Sequence, residues 1–245
     1  MPNWVFNRVT ICGSKRKLGK IRKELSTFDD SEISEIEEKL NGTRPMDSYE
    51  TEERLKKNLE YLKKQNKAYF TNEFDFNRII PMPENSDTFL AKGGVGAEEQ
   101  KKFGDNNWYN WSIAHWGTKW NSCDACVASD DGKTLVYEFN TAWAPPAPVI
   151  EALGRKYKVE VECVYYDADD FPNSCGSLVY RPKGNDRGFN VCNHDGDVQW
   201  VADTFGECIP EDYGFELNDN GEWAYPEEEE DEEEEEDVEK VGENK

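Results

Sequence analysis

The chain has 245 residues, 36% of them apolar and 13% aromatic, which predicts one or two folded domains and argues against a mostly disordered protein. No apolar stretch approaches the roughly 20 residues that span a bilayer, and Met1-Pro2-Asn3-Trp4 lacks the pattern of a secretory signal. The net charge of −23, of which −11 lies in residues 226–245, argues against nonspecific binding to phosphate backbones.

The chain begins with a predicted strand and an amphipathic helix. Apolar and polar residues alternate between Trp4 and Cys12, as in a half-buried strand. Ser14 follows in the position of a helix N-cap. The helix would bury four apolar side chains spaced by three or four residues: Leu18, Ile21, Leu25 and Phe28.

Residues 29–70 predict a helical insert. Its first helix starts at Ser31 and stops at Asn41-Gly42. The second helix opens at Asp47 and Glu50, which match a capping box, and buries a stripe of leucines. The leucines of that stripe are Leu55, Leu59 and Leu62.

The middle of the chain supplies the remaining elements of one sheet. Phe74–Pro83 predicts a short strand or extended segment, and residues 84–107 predict a loop with one helical turn. Beyond the loop, the patterns predict strands near 126–130 and 134–140, a helix at 147–157 and a strand at 158–166. The resulting order, βαββαβ with a helical insert, predicts an α+β ferredoxin-like sandwich with helices on one face of the sheet.

The C-terminal part is predicted to be β-rich until its acidic end. Short aromatic runs between turn residues predict four antiparallel strands: Ser177–Tyr180, Gly188–Cys192, Gln199–Ala202 and Glu222–Tyr225. Eleven consecutive acidic residues, 227–237, predict a disordered tail. We therefore expect a ferredoxin-like domain at 1–182, a β-rich, hairpin-containing extension at 183–225 and a disordered acidic tail at 226–245.

Four motifs in this order are similar to one known family. They are PNWVFNRVTI at residues 2–11, FDFNRIIPMP at 74–83, WYNW with WGTKW at 108–120, and FNTAWAPP at 139–146. Together they resemble the YubB-type ferredoxin-like domain family of phage- and plasmid-borne proteins, over residues 1–182. The resemblance implies a ferredoxin-like fold without an iron–sulfur cluster, and it transfers no catalytic residue.

The aromatic segment 108–120, together with one later tryptophan, predicts a binding surface. Exposed rings there could stack on a base, a sugar or a peptide, while the alternative is that they cap one end of the sheet and fill core space. The predicted binding residues are Trp108, Asn110, Trp111, His115, Trp116, Lys119, Trp120 and Trp143.

Catalytic and metal-binding residues are not predicted. Cys123 and Cys126 form a CxxC motif, but zinc requires further ligands and a second pair of thiols is missing. The seven cysteines are expected to be reduced thiols of a cytosolic protein. With two histidines in the chain, acid–base schemes have few candidates, and we predict no cofactor and no metal.

The acidic tail has three interpretations: a solubilising appendage, a contact for a basic protein surface, or a mimic of DNA that occupies a nucleic-acid-binding channel. If the tail contacts a basic protein, the contacting residues would be Glu227, Glu230, Asp231, Glu234 and Asp237.

The sequence therefore favours a non-catalytic binding protein in the bacterial cytosol. Its partner would be a host protein with a basic surface, in nucleic-acid handling or antiviral defence, with no direct contact to nucleic acid or membrane. Two alternatives stay open: a nucleotide or metabolite binder that uses the Trp-rich segment, and an enzyme of unknown class that uses Cys123, Cys126, His115 or His194. The sequence does not indicate an oligomeric state.

Overall fold

The computed structural model describes residues 3–28, 31–64, 71–184 and 187–226. Within them the strands are β1 (Trp4–Cys12), β2 (Thr27–Phe28), β3 (Thr71–Asn72), β4 (Cys123–Asp130), β5 (Thr134–Ala142), β6 (Glu160–Asp167), β7 (Cys175–Arg181), β8 (Gly188–Asn193), β9 (Glu216–Leu217) and β10 (Trp223–Ala224). The helices are α1 (Lys15–Leu25), α2 (Ser31–Leu40), α3 (Glu52–Lys64), α4 (Ala97–Phe103), α5 (Trp108–Trp116), α6 (Ala147–Tyr157), α7 (Val198–Phe205) and α8 (Cys208–Asp212).

The main sheet is antiparallel, and its strand order among the described residues is β4-β5-β1-β6-β7-β8. The first four strands of that order, with α1 and α6 as the crossover helices, form a ferredoxin-like βαββαβ unit. This confirms the predicted fold class. β7 and β8 extend the sheet beyond β6 through antiparallel pairing.

One face of the sheet packs on the helices. Alternate residues of β1, such as Val5, Val9 and Ile11, are buried on that face because successive strand residues point to opposite sides. The buried stripe of α1 and the apolar side chains of α6 belong to the same core. The members from these helices are Leu18, Ile21, Leu25, Val149, Ile150 and Leu153.

The helical insert has a small core of its own between α2 and α3. Its buried members are Ile36, Leu55 and Leu62. The predicted capping box at Asp47 and Glu50 is wrong as a helix start, because α3 begins at Glu52 and the two residues close a separate turn. Residues 29–30 and 65–70 of the predicted insert lie outside the described residues.

Two predictions in the first part of the chain are corrected. Phe28 belongs to β2, because α1 ends at Leu25 before the extended Ser26. The segment Phe74–Pro83, predicted as a short strand or extended segment, forms no strand and contains a 3-10 turn, Phe76–Arg78. Asp75 caps this turn by accepting the Asn77 N–H, and an Asp side chain at that position favours a turn over an extended strand.

The strand predicted at Gln199–Ala202 is also wrong, because this segment lies in α7. Val198, Val201 and Ala202 are buried, and their spacing of three and four residues places them on one side of a helix. The strands predicted at Ser177–Tyr180, Gly188–Cys192 and Glu222–Tyr225 correspond to β7, β8 and β10.

The chain forms two compact units that divide between Asp197 and Val198. The first unit contains the six-stranded sheet and the insert, and the second, in its described part, contains α7, α8 and the β9–β10 hairpin. Among the described residues, no helix is long and apolar enough to cross a membrane.

Candidate binding site

Helix α5 carries most of the predicted binding residues, and its two ends have clear local causes. The buried Asn107 caps the start of the helix, where its side chain accepts the Asn110 N–H at 3.0 Å. The helix stops at Gly117, which adopts φ +81°. A Cβ at Gly117 would lie 2.9 Å from Pro148 Cδ, so both the conformation and the close approach require glycine.

The structure turns part of the predicted aromatic site inward. Trp116 is buried in the core, where its indole N–H donates to the Ile80 carbonyl at 2.9 Å. Trp111 packs against that core and forms an edge contact with Trp116. His115 is exposed and stacks on Trp111 with ring centroids 4.3 Å apart. These three rings therefore form one layered contact from the core to the surface.

Trp108 and Asn110 hold the start of α5 against the preceding loop. The Trp108 indole N–H donates to the Gly93 carbonyl at 2.9 Å. The Asn110 side chain donates to Asp105 at 3.3 Å. Both polar groups are therefore engaged within the chain, and their main contacts are local.

Lys119 lies at the centre of a cluster of aromatic rings that includes the predicted Trp120 and Trp143. Its Nζ lies 4.6 Å from the ring centroid of Trp120, 4.7 Å from that of Trp143 and 5.8 Å from that of Tyr109. Ammonium groups at such distances are attracted to aromatic faces. Trp4 extends the cluster, with its ring 6.0 Å from that of Trp120. We name these five residues, Trp4, Tyr109, Lys119, Trp120 and Trp143, the aromatic patch.

The aromatic patch includes two residues that were not among the predicted binding residues, Trp4 and Tyr109. Trp4 comes from the first strand but pairs with Ala142 of β5, directly before Trp143. Trp4 reaches the patch because β1 pairs with β5. The sequence alone does not reveal that pairing, because it depends on the order of strands in the sheet. Tyr109 faces Trp143 edge-on, with ring centroids 6.2 Å apart.

Trp143 is the most unusual residue of the patch. Its backbone has φ +76°, a conformation that residues with a Cβ rarely adopt. Its side chain is 43% exposed, although tryptophan is usually well buried. The Trp143 N–H donates to the Asn3 carbonyl at 2.9 Å, which fixes the turn after β5.

Buried polar groups hold both chain segments of the patch. Thr118 donates its hydroxyl to the Ala142 carbonyl at 2.7 Å, and the Ser112 hydroxyl lies 2.7 Å from the Lys119 carbonyl. Below them, the Asn7 amide donates to the Thr141 hydroxyl at 2.9 Å, and that hydroxyl donates to the Ala144 carbonyl at 2.9 Å. Buried hydrogen bonds of this kind favour one arrangement of the rings.

The charge at the patch is not neutralised by an ion pair. Among the described residues, no carboxylate lies within 4.0 Å of Lys119 Nζ. An acidic residue contacts the patch through its backbone: the Asp169 carboxylate accepts the Trp4 N–H at 2.9 Å. The neighbouring Asp167 is buried, and desolvation raises its pKa above the ordinary value.

The CxxC thiols lie on β4, beside a bulge in its pairing with β5. Burial is the main cause that raises the pKa of both Cys123 and Cys126, and acidic neighbours add to it. Burial also raises the pKa of Cys175 to about 11. A raised pKa lowers the thiolate fraction at neutral pH, which disfavours nucleophilic chemistry by these thiols.

The other candidates for chemistry lie apart from one another. His194 lies near Asp197, with Nδ1 3.9 Å from the carboxylate. In the described ranges, no group of three or more His, Cys, Asp or Glu side chains could hold a metal ion. The predicted tail contacts, Glu227, Glu230, Asp231, Glu234 and Asp237, lie outside the residues that the structure describes.

A comparison with known protein families agrees with the fold. A family model described as the ferredoxin-like domain in Api92-like protein matches residues 115–199. The crystal structure of Api92 from Yersinia pseudotuberculosis is 12% identical, with a TM-score of 0.46, and the match covers 80% of this chain and 98% of that one. A search of curated proteins finds no match. Residues 115–199 are thus similar to the ferredoxin-like domain of Api92-like proteins.

Proposed function

We propose that this protein is a non-catalytic binding protein, encoded by a phage or plasmid, that engages a host protein in the bacterial cytosol through the aromatic patch. The resemblance to the YubB-type family supports the proposed origin. A host factor in nucleic-acid handling or antiviral defence is the partner class that this origin favours. The arrangement of three rings around Lys119 Nζ is the observation on which the proposal rests.

The composition of the patch suits a protein interface. Tryptophan and tyrosine dominate the residues that contribute most to binding energy at protein interfaces. Ile113, one turn after Tyr109 on α5, is 40% exposed and adds apolar area beside the patch. An exposed apolar surface of this kind is typical of an interaction site.

The packing around Lys119 also prepares the rings for binding. A side chain that is already ordered loses less conformational freedom when a partner binds. The cation–π contacts and the hydrogen bonds of Ser112 and Thr118 order the rings before any partner arrives.

The negative net charge of the chain favours a protein partner with a basic surface. A net charge of −23 attracts basic surfaces and repels nucleic acid over the range of electrostatic steering. We therefore expect a partner that presents an apolar pocket surrounded by basic residues, with binding rates that fall as salt rises. The acidic tail would add to this attraction without a fixed contact geometry.

Site-specific photo-crosslinking tests this proposal in host cells. A photo-reactive residue would replace Ile113, beside the patch, and a control would replace Val191, which is 60% exposed on β8. We expect one host protein to be crosslinked from position 113 and not from position 191. Identical adducts from both positions, or none from position 113, would count against the patch as the interface.

A further inference from the structure

A second surface feature lies on the helical insert, in the same unit as the patch but built from other elements. An open cleft of about 500 Å³ lies between the turn that precedes α3 and one side of α3. Leu55 forms its apolar floor. The residues around it are Tyr49, Glu50, Arg54, Lys57, Asn58 and Tyr61.

A buried lysine fixes the turn that forms one wall of this cleft. Lys39 Nζ lies 2.8 Å from Glu50 Oε1 and 3.3 Å from Asp47 Oδ2. The second carboxylate oxygen of Glu50 accepts the Asp47 N–H at 2.7 Å. These contacts hold Tyr49 next to α3. Lys39 Nζ also lies 3.2 Å from Glu35 Oε1, so its one positive charge is shared among three carboxylates.

The cations in the cleft, Arg54 and Lys57, differ from Lys56 and Lys63 on the same helix. Lys56 pairs with Glu52 at 3.3 Å, and Lys63 pairs with Glu37 at 2.7 Å. Arg54 and Lys57, by contrast, form no ion pair with any carboxylate in the described ranges. They are three residues apart on the helix, so both can approach one anion from the same side.

Two exposed tyrosine rings flank these cations. Tyr49 is 69% exposed and Tyr61 is 61% exposed, the largest exposed fractions among the exposed large apolar and aromatic side chains of the described residues. Exposed rings beside a basic groove can stack on the planar base of a nucleotide. Arg54 can bind a phosphate through two parallel hydrogen bonds, and Lys57 adds a point charge.

We propose that this cleft binds a mononucleotide, with Arg54 and Lys57 on the phosphates and Tyr49 or Tyr61 on the base. The volume lies within the usual range of ligand pockets, about 300–1,000 Å³. A free mononucleotide fits better than a nucleic acid, because the total charge of −23 repels a long polyanion more strongly than a small one. This proposal is independent of the protein-binding role of the aromatic patch.

Isothermal titration of the full chain with ADP tests the proposal, with adenosine, inorganic phosphate and a single-stranded oligothymidylate as comparisons. We expect ADP to bind more tightly than each of the other three ligands. The double variant Arg54→Ala/Lys57→Ala should weaken ADP binding at least about tenfold. Replacement of both tyrosines, Tyr49→Leu/Tyr61→Leu, should also weaken it.

The matched control is Lys56→Ala/Lys63→Ala, which removes the same charge from the same helix outside the cleft. Circular dichroism would verify that both double variants keep their helix content. The proposal is overturned by an absence of ADP binding up to about 1 mM, by equal loss in the control, or by equal affinity for adenosine. Tighter binding of the oligothymidylate would overturn it in favour of single-stranded nucleic acid.

Discussion

The Asn7 side-chain amide donates a hydrogen bond of 2.9 Å to the Thr141 hydroxyl, beneath the most exposed ring of the aromatic patch. Asn7 also donates to the Val5 carbonyl at 2.8 Å and is completely buried. The Thr141 hydroxyl in turn donates to the carbonyl of Ala144, the residue that follows Trp143. A buried polar group of the core therefore fixes the turn that presents Trp143.

Replacement of Thr141 by valine tests that connection. Thr141→Val keeps the shape of the side chain but leaves the buried Asn7 amide and the Ala144 carbonyl without this partner. We expect the free energy of unfolding to fall by about 1–3 kcal/mol in urea titrations. Thr10→Val is the control and should have a small effect, because Thr10 lies on the face of β1 opposite to the buried Asn7. Equal effects of the two changes would refute the assigned role of Thr141.

Because the Trp143 backbone has a positive φ, we expect glycine at this position to give a more stable protein than alanine. Glycine accepts φ +76° without strain, whereas alanine does not. We therefore expect Trp143→Gly to be more stable than Trp143→Ala by roughly 1 kcal/mol in thermal unfolding. Lys158, with φ +52° at the end of α6, is the matched control and should show the same order. A Trp143→Ala protein as stable as Trp143→Gly would contradict the strain.

Loss of the hydroxyl should affect stability differently at two core tyrosines, Tyr137 and Tyr157. Tyr137 is buried in the core, and no hydrogen-bond partner is found for its hydroxyl in the described chain. Tyr137→Phe should therefore leave the free energy of unfolding unchanged or raise it by up to about 1 kcal/mol. Tyr157→Phe should lower it, because the Tyr157 hydroxyl donates to Glu24 at 2.7 Å. Destabilisation by Tyr137→Phe would reveal a partner for that hydroxyl.

Acid should loosen the helical insert through Glu50. The hydrogen bond from Lys39, and next the Asp47 N–H, lower the pKa of Glu50 below its ordinary value. A carboxyl with a lowered folded-state pKa contributes stability above its unfolded pKa of about 4.3, and that contribution disappears as the pH falls further. The protection of α2 and α3 amides, expressed as their exchange rate relative to the intrinsic rate at each pH, should therefore decrease as the pH falls below about 4.3.

Glu50→Gln is the control for this pH dependence, because it removes the titrating group and keeps the shape of the side chain. The variant should show lower amide protection than the wild type at neutral pH and a smaller loss of protection on acidification. An insert whose exchange follows the same pH profile in both proteins would show that Glu50 does not carry the effect.

Sequence patterns predicted the sheet because strict alternation places one set of residues on each face. Val5, Val9 and Ile11 in β1 are an example, and the spacing of Leu18, Ile21 and Leu25 in α1 is equally direct. Such patterns are local, so they can be identified without knowledge of the fold. The apolar run of α7 is too short to distinguish the helical period from the strand period, so the strand predicted there is wrong.

The aromatic patch could be predicted only in part. Helix α5 carries aromatic rings on several sides, so its sequence does not indicate that Trp116 is buried while Tyr109 faces Trp143. Trp4 joins the patch only through the pairing of β1 with β5, across more than a hundred residues of chain. The positive φ of Trp143 has no sequence signal, because residues with a Cβ rarely adopt it.

The central claim is that the aromatic patch binds a host protein, and one comparison tests it most directly. Equal amounts of tagged wild-type, Trp143→Gly and Lys158→Gly protein would capture host proteins at moderate salt, and mass spectrometry would quantify each captured protein. We predict one stoichiometric partner that Lys158→Gly retains and that Trp143→Gly loses at least about tenfold, as expected for an interface hot spot. Equal capture of that partner by all three proteins, or no stoichiometric partner of the wild type, would contradict the claim.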